Sequence, residues 1–153
     1  MKKTTIIEII IFLYAVLFIY TGISKLMDYS EFKETIAESP VLAPIASFVA
    51  SGVPLLEFTV TILLIIPRWR LKGLYAALML MSAFTIYVIG LLIFAPTLPC
   101  SCGGIIQQLS WPQHIVFNCA FIALAAWGIT LQKREMKVQR ITWNINEHKA
   151  FSS

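Results

Sequence analysis

Four long apolar runs, separated by clusters of polar residues, divide the chain at about residues 6–23, 43–66, 73–95 and 113–131. Each is close to the roughly 20 residues that a helix needs to cross a hydrocarbon core about 30 Å thick. Lipid offers the backbone no hydrogen-bond partner, so each run predicts a helix. Pro44, Gly52 and Pro54 interrupt the second run, which predicts either a kink or a short re-entrant piece ahead of the true span. The fourth run is short and borrows Trp111 to His114 at its mouth. Between the first two runs, Ser30 to Ser39 sets Phe32 and Ile36 four residues apart among acids. That is the pattern of a short amphipathic helix lying on a surface. Residues 133–153 form a polar tail with Trp143 as its interface anchor. Lys2 and Lys3 precede the first run as they would a signal peptide, but no small-x-small cleavage site follows, so it is read as an uncleaved helix. The predicted fold is an all-α integral membrane four-helix bundle over residues 1–132.

Composition excludes the soluble alternatives. Of 153 residues, 58% are hydrophobic and 13% charged, and the mean hydropathy is +0.79. An ordinary soluble domain is about half apolar and a quarter charged. A sphere of this size could not hide so much apolar surface, and a disordered chain needs the opposite balance. Four spans of about 20 residues would use about 80 of the roughly 89 hydrophobic positions.

The net charge of +4 does not point to nucleic acid, because the cations sit in short clusters between apolar runs rather than on one face. They set topology instead. Lys2 and Lys3 precede the first span, Arg68, Arg70 and Lys72 lie between the second and third, and Lys133, Arg134, Lys137, Arg140 and Lys149 follow the fourth. With four spans all ten fall on one side, leaving Lys25 and Lys33 on the other beside Asp28, Glu31, Glu34 and Glu38. The expectation is a multi-pass protein of a bacterial cytoplasmic (inner) membrane, embedded in the lipid bilayer, with both termini in the cytoplasm. The segment from Pro96 to Trp111 then faces outward.

That segment contains Pro99-Cys100-Ser101-Cys102-Gly103-Gly104. Cysteines one residue apart close a disulfide only with strain, and strained disulfides are the labile, oxidising ones. Gly103 and Gly104 supply the backbone angles such a turn needs. Outside the membrane, thiols meet oxidising conditions. Cys100 and Cys102 therefore suit thiol–disulfide exchange with a partner. A static disulfide stapling the loop and one half of a metal site are the alternatives; no second cysteine pair is near enough to complete a zinc site.

Other residues could carry chemistry. His114 at the mouth of the fourth span either tunes a thiolate or serves as a polar residue at the membrane boundary. Asn118, four residues on, shares its helical face. Cys119 reads as a small buried hydrophobe or as a third thiol within reach of the Cys100–Cys102 segment. Glu57 is an acid inside an apolar run, where a partner or a function is the default expectation. Lys25 is the basic residue placed to reach it. The two form either a structural tie between spans one and two or a proton-handling, cofactor-side pair.

Tyr20-Thr21-Gly22-Ile23-Ser24-Lys25-Leu26, followed by Asp28 and Phe32, resembles the first-helix signature of the DoxX-like superfamily. Pro54-Leu55-Leu56-Glu57 resembles its second-helix element. Cys100-Ser101-Cys102-Gly103-Gly104, then Trp111 and Asn118, is similar to the CxCxG segment of the MauE branch, the methylamine-utilisation proteins. The usual pattern has Cys-Gly-Cys-Phe-Gly; here Ser101 and Gly103 depart from it, while both cysteines and Gly104 remain. The resemblance implies a four-helix membrane protein of redox maturation. Analogues in the superfamily pass electrons from partner thiols to quinone. By that resemblance the partner is an extracytoplasmic thioredoxin-like or other cysteine-containing protein, and Glu57, Lys25 and Asn118 line a quinone site. A reading from another class is a non-catalytic membrane subunit whose Cys100–Cys102 disulfide is structural.

Overall fold

The computed structural model describes residues 3–39, 42–94 and 111–151. Five α-helices follow in order: α1 (Lys3–Met27), α2 (Tyr29–Ala37), α3 (Ala46–Ile65), α4 (Arg70–Phe94) and α5 (Trp111–Phe151), with one turn of 3₁₀ helix at Ala43–Ile45. No strand occurs among the described residues. Among them, α1, α3, α4 and α5 are long and apolar enough to cross a membrane. The protein is an all-α membrane bundle.

The four long helices close a ring. α1 packs on α3, α3 on α4, α4 on α5, and α5 returns to α1, while α2 lies against α3. Inside the ring, Ile10, Tyr14 and Phe18 of α1 meet Leu64 of α3, Leu74, Ala77 and Met81 of α4, and Ala125 and Ile129 of α5. Tyr14 donates its hydroxyl proton to the Phe121 carbonyl, which satisfies a polar tip in an otherwise apolar core. Apolar side chains also cover the outside, Phe12 being 67% exposed, Phe48 80% and Met79 73%. In water such a surface would aggregate; in a bilayer it is the face that lipid covers.

Local chemistry explains the helix limits. α3 runs without a break through Gly52 and Pro54, and Pro54 is buried. Of the two predicted readings, the short re-entrant piece is excluded, since α3 is one continuous helix with Pro54 inside it. α3 stops at Ile65 because Pro67 forces the residue before it out of the helical region, and Ile66 is extended with φ −77° and ψ 115°. The chain turns at once into α4, where a Cβ on Gly73 would lie 2.8 Å from the Leu64 nitrogen. Only glycine allows that approach. α2 forms where the Phe32–Ile36 spacing predicts it, and Ile36 packs with Ala46 and Ala50 of α3.

α5 is longer than its apolar run. Leu131 is its last core residue, yet the polar tail is helical as far as Phe151. From Gly128 to Phe151 the sequence holds no further glycine and no proline, and it is rich in Lys, Arg, Glu and Gln. Those are good helix formers. Polarity ends the buried face there without ending the helix.

Candidate functional site

Glu57 sits midway along α3 and is 1% exposed. Its Oε1 accepts from Lys25 Nζ at 2.7 Å and from Thr21 Oγ1 at 3.0 Å. Lys25 and Thr21 lie one helical turn apart on α1, so they present to α3 from the same face. Lys25 Nζ also lies 3.4 Å from the Thr21 carbonyl and rests over two rings, 5.4 Å from the centre of Phe84 and 5.8 Å from that of Phe32. The cation therefore has aromatic faces where water would otherwise be. Gly22 makes room for the carboxylate, since a Cβ there would lie 3.0 Å from the Phe58 ring and 3.3 Å from Glu57 Oε2.

Around this cluster is a partly open cavity of about 90 Å³. Its polar wall comprises Thr21, Lys25, Glu57, Tyr87, His114 and Asn118, and its apolar wall includes Phe18, Phe32, Phe84 and Phe117. Two of the polar groups are unspent. Glu57 Oε2 and Asn118 Nδ2 are buried with no hydrogen-bond partner among the described residues. An orphaned buried polar atom costs about 1–3 kcal/mol. One such atom is an acceptor and the other a donor, on two residues lining one cavity.

The structure thus brings together Lys25, Glu57, His114 and Asn118, four of the seven residues singled out from the sequence. His114 and Asn118 share a face of α5 and both reach the cavity. Cys100 and Cys102 lie outside the described residues. Residues 95–110, which carry them, join the end of α4 to the start of α5. The cavity residue Val88 is less than two turns from Phe94, and His114 is one turn from Trp111, so the segment is tied to the two helix ends that border the cavity. Cys119 corrects one expectation: it is exposed on α5 rather than buried, while its reach to the Cys100–Cys102 segment falls outside the described residues. It neighbours Asn118, and successive residues on a helix point about 100° apart, so inward Asn118 sends Cys119 outward.

Sequence reasoning missed Thr21 and the phenylalanine walls. The signal for Thr21 was its position four residues before Lys25, on the face that a Lys25–Glu57 pair had to use. From the sequence, Phe32 reads as part of a surface helix and of the first-helix signature, neither of which points it at a cavity.

The family described as methylamine utilisation protein MauE matches residues 3–131. The chain belongs to the MauE family. That match spans α1 to the end of the core-forming part of α5, and so includes every residue of the cavity. Family membership links the protein to methylamine utilisation. No curated relative matches the chain, and no solved structure does either. Among the described residues of this MauE-family protein, no three His, Cys, Asp or Glu side chains gather as a metal site.

Proposed function

We propose that this MauE-family protein is a membrane redox-maturation factor that exchanges thiols and disulfides with an extracytoplasmic cysteine-containing partner. The observation that carries the reading is the cavity, with its buried Lys25–Glu57 pair and its unspent polar atoms, at the helix ends joined by the Cys100–Cys102 segment. A purely structural bundle has no use for stranded donors and acceptors at that place.

In the exchange, a partner thiolate attacks the Cys100–Cys102 disulfide and a mixed disulfide forms. The partner's second thiol then displaces it, leaving an oxidised partner and two thiols on Cys100 and Cys102. His114, lining the cavity at the start of α5, takes up or returns the thiol protons, the general-base and general-acid work an imidazole can do. A quinone is the acceptor class for the returning step, supplying room for two electrons and two protons when bound. The residues present suit it. Phenylalanine walls would pack a ring, Asn118 Nδ2 would donate to a ring oxygen, and the Lys25–Glu57 pair keeps the polar end of the cavity electrically neutral. The basic clusters support an orientation with Cys100 and Cys102 on the outer side of an inner membrane and both termini inside.

Thiol trapping in membranes tests this. With a membrane-impermeant maleimide, Cys100 and Cys102 are expected to label from outside only after mild reduction. Changing Cys100 or Cys102 singly to Ser should trap a mixed disulfide with the partner. Labelling only from the cytoplasmic side would overturn the orientation. A Cys100→Ser, Cys102→Ser protein that left every partner's oxidation state unchanged would overturn the exchange.

A further inference from the structure

We propose that the cavity recognises the reduced, hydroquinone form of its ring ligand in preference to the oxidised quinone. A ring hydroxyl would donate to the Glu57 carboxylate and a ring oxygen would accept from Asn118. This deepens the function proposed above and rests on its assignment of a quinone to the cavity.

Oε1 of Glu57 is already spent on Lys25 at 2.7 Å and Thr21 at 3.0 Å. Oε2 has no partner among the described residues, and neither has Asn118 Nδ2. The unmet demand is for a ligand bearing both a donor and an acceptor. As the ion-paired carboxylate, Glu57 accepts and does not donate. A quinone offers carbonyl oxygens alone, so any oxygen placed beside Oε2 sets lone pair against lone pair. A hydroquinone offers hydroxyls, each donor and acceptor at once, and meets both demands.

Charge excludes other ligand classes. Lys25 and Glu57 neutralise each other, so an anion such as a fatty-acid carboxylate would meet Glu57 without a free cation to hold it. A cationic ligand would meet Lys25. A purely apolar occupant would leave Oε2 and Nδ2 stranded, which is costly in a low-dielectric site. A neutral ring between the Phe18, Phe84 and Phe117 side chains, with hydroxyls at its polar edge, is what the lining accommodates. Tighter binding of the reduced form makes the bound ring a stronger oxidant, which is the direction needed to re-oxidise a dithiol.

The test is a pair of affinities on full-length protein in lipid nanodiscs. Cys100 and Cys102 are changed to Ser so that the ring is not turned over during measurement. The probes are a decyl-substituted dimethoxy-methyl-benzoquinone and its hydroquinone, the latter held under anaerobic conditions. The hydroquinone is expected to bind at least about tenfold more tightly, which raises the potential of the bound two-electron couple by about 30 mV. Glu57→Gln presents an amide that can donate to a carbonyl, so in that variant the ratio should fall toward one or invert. Should Glu57→Gln not fold, the ratio for the Glu57 protein alone decides. Equal affinities, or tighter binding of the oxidised ring, would overturn the preference and leave the quinone assignment standing. Binding of neither ring would overturn both.

Discussion

Lys25 Nζ and Glu57 Oε1 lie 2.7 Å apart and join α1 to α3 across a bundle in which Glu57 is 1% exposed. Two charges so placed cost much desolvation, and their mutual attraction repays it only while both are present. Lys25→Met should therefore destabilise the protein by about 3–5 kcal/mol, by stranding a buried carboxylate. Lys25→Met combined with Glu57→Leu should recover most of that loss, because no unpaired charge remains. Reversible unfolding in mixed micelles measures both. A loss below about 0.5 kcal/mol for Lys25→Met would mean that the carboxylate finds water or another partner in the native protein.

Gly73 and Gly52 offer a matched pair of substitutions in the membrane helices. A Cβ on Gly73 meets Leu64 N at 2.8 Å and the Leu63 carbonyl carbon at 2.9 Å, both backbone atoms at the end of α3. Neither can swing aside as a side chain can. Gly73→Ala should cost about 1–3 kcal/mol, as overpacking does elsewhere. A Cβ on Gly52 meets nothing within 4 Å. Gly52→Ala should be neutral or stabilising by up to about 1 kcal/mol through helix propensity alone. The two melting temperatures should move apart; equal shifts would show that the α3–α4 turn adapts to a methyl group at Gly73.

Cys119 faces away from the cavity that its neighbour Asn118 lines. Cys119→Ala should leave partner oxidation and mixed-disulfide trapping at Cys100 or Cys102 unchanged. A lipid-soluble maleimide should label Cys119 in membranes, whereas a membrane-impermeant reagent should not. A loss of partner oxidation on Cys119→Ala would make Cys119 a third thiol of the exchange.

Two kinds of information were legible before the structure. Span number came from run length, because lipid enforces it. The Lys25–Glu57 pair came from charge economy, because a lone acid in an apolar helix demands a counterion and one was within reach. The facing of individual residues was less legible. Spans in this protein are apolar on nearly every side, so periodicity does not separate the face toward lipid from the face toward the core. Cys119 reads as buried from the sequence for that reason, and only the helical phase relative to Asn118 shows it exposed. Thr21 was hidden because a hydroxyl on a membrane helix usually bonds to its own backbone, whereas this one also reaches Glu57. The Gly73 contact depends on how two helices meet, which no local pattern encodes.

At the opposite end of the bundle, Arg70 Nη1 lies 2.7 Å from Glu8 Oε1 and ties α4 to the start of α1. This pair resembles the Lys25–Glu57 pair in distance and differs from it in setting. The Glu8 side chain is 50% exposed against 18% for Arg70, so water screens the attraction, and a Gln at position 8 still offers an amide oxygen to the guanidinium. Glu8→Gln should therefore cost no more than about 1 kcal/mol, several times less than Lys25→Met. Raising the ionic strength should shrink the Glu8→Gln effect further while leaving the Lys25→Met effect nearly unchanged, since exposed pairs are screened far more than buried ones. Unfolding both variants at low and high salt separates the cases. A Glu8→Gln cost as large and as salt-independent as that of Lys25→Met would place the Arg70 end of α1 within the low-dielectric slab rather than at its edge.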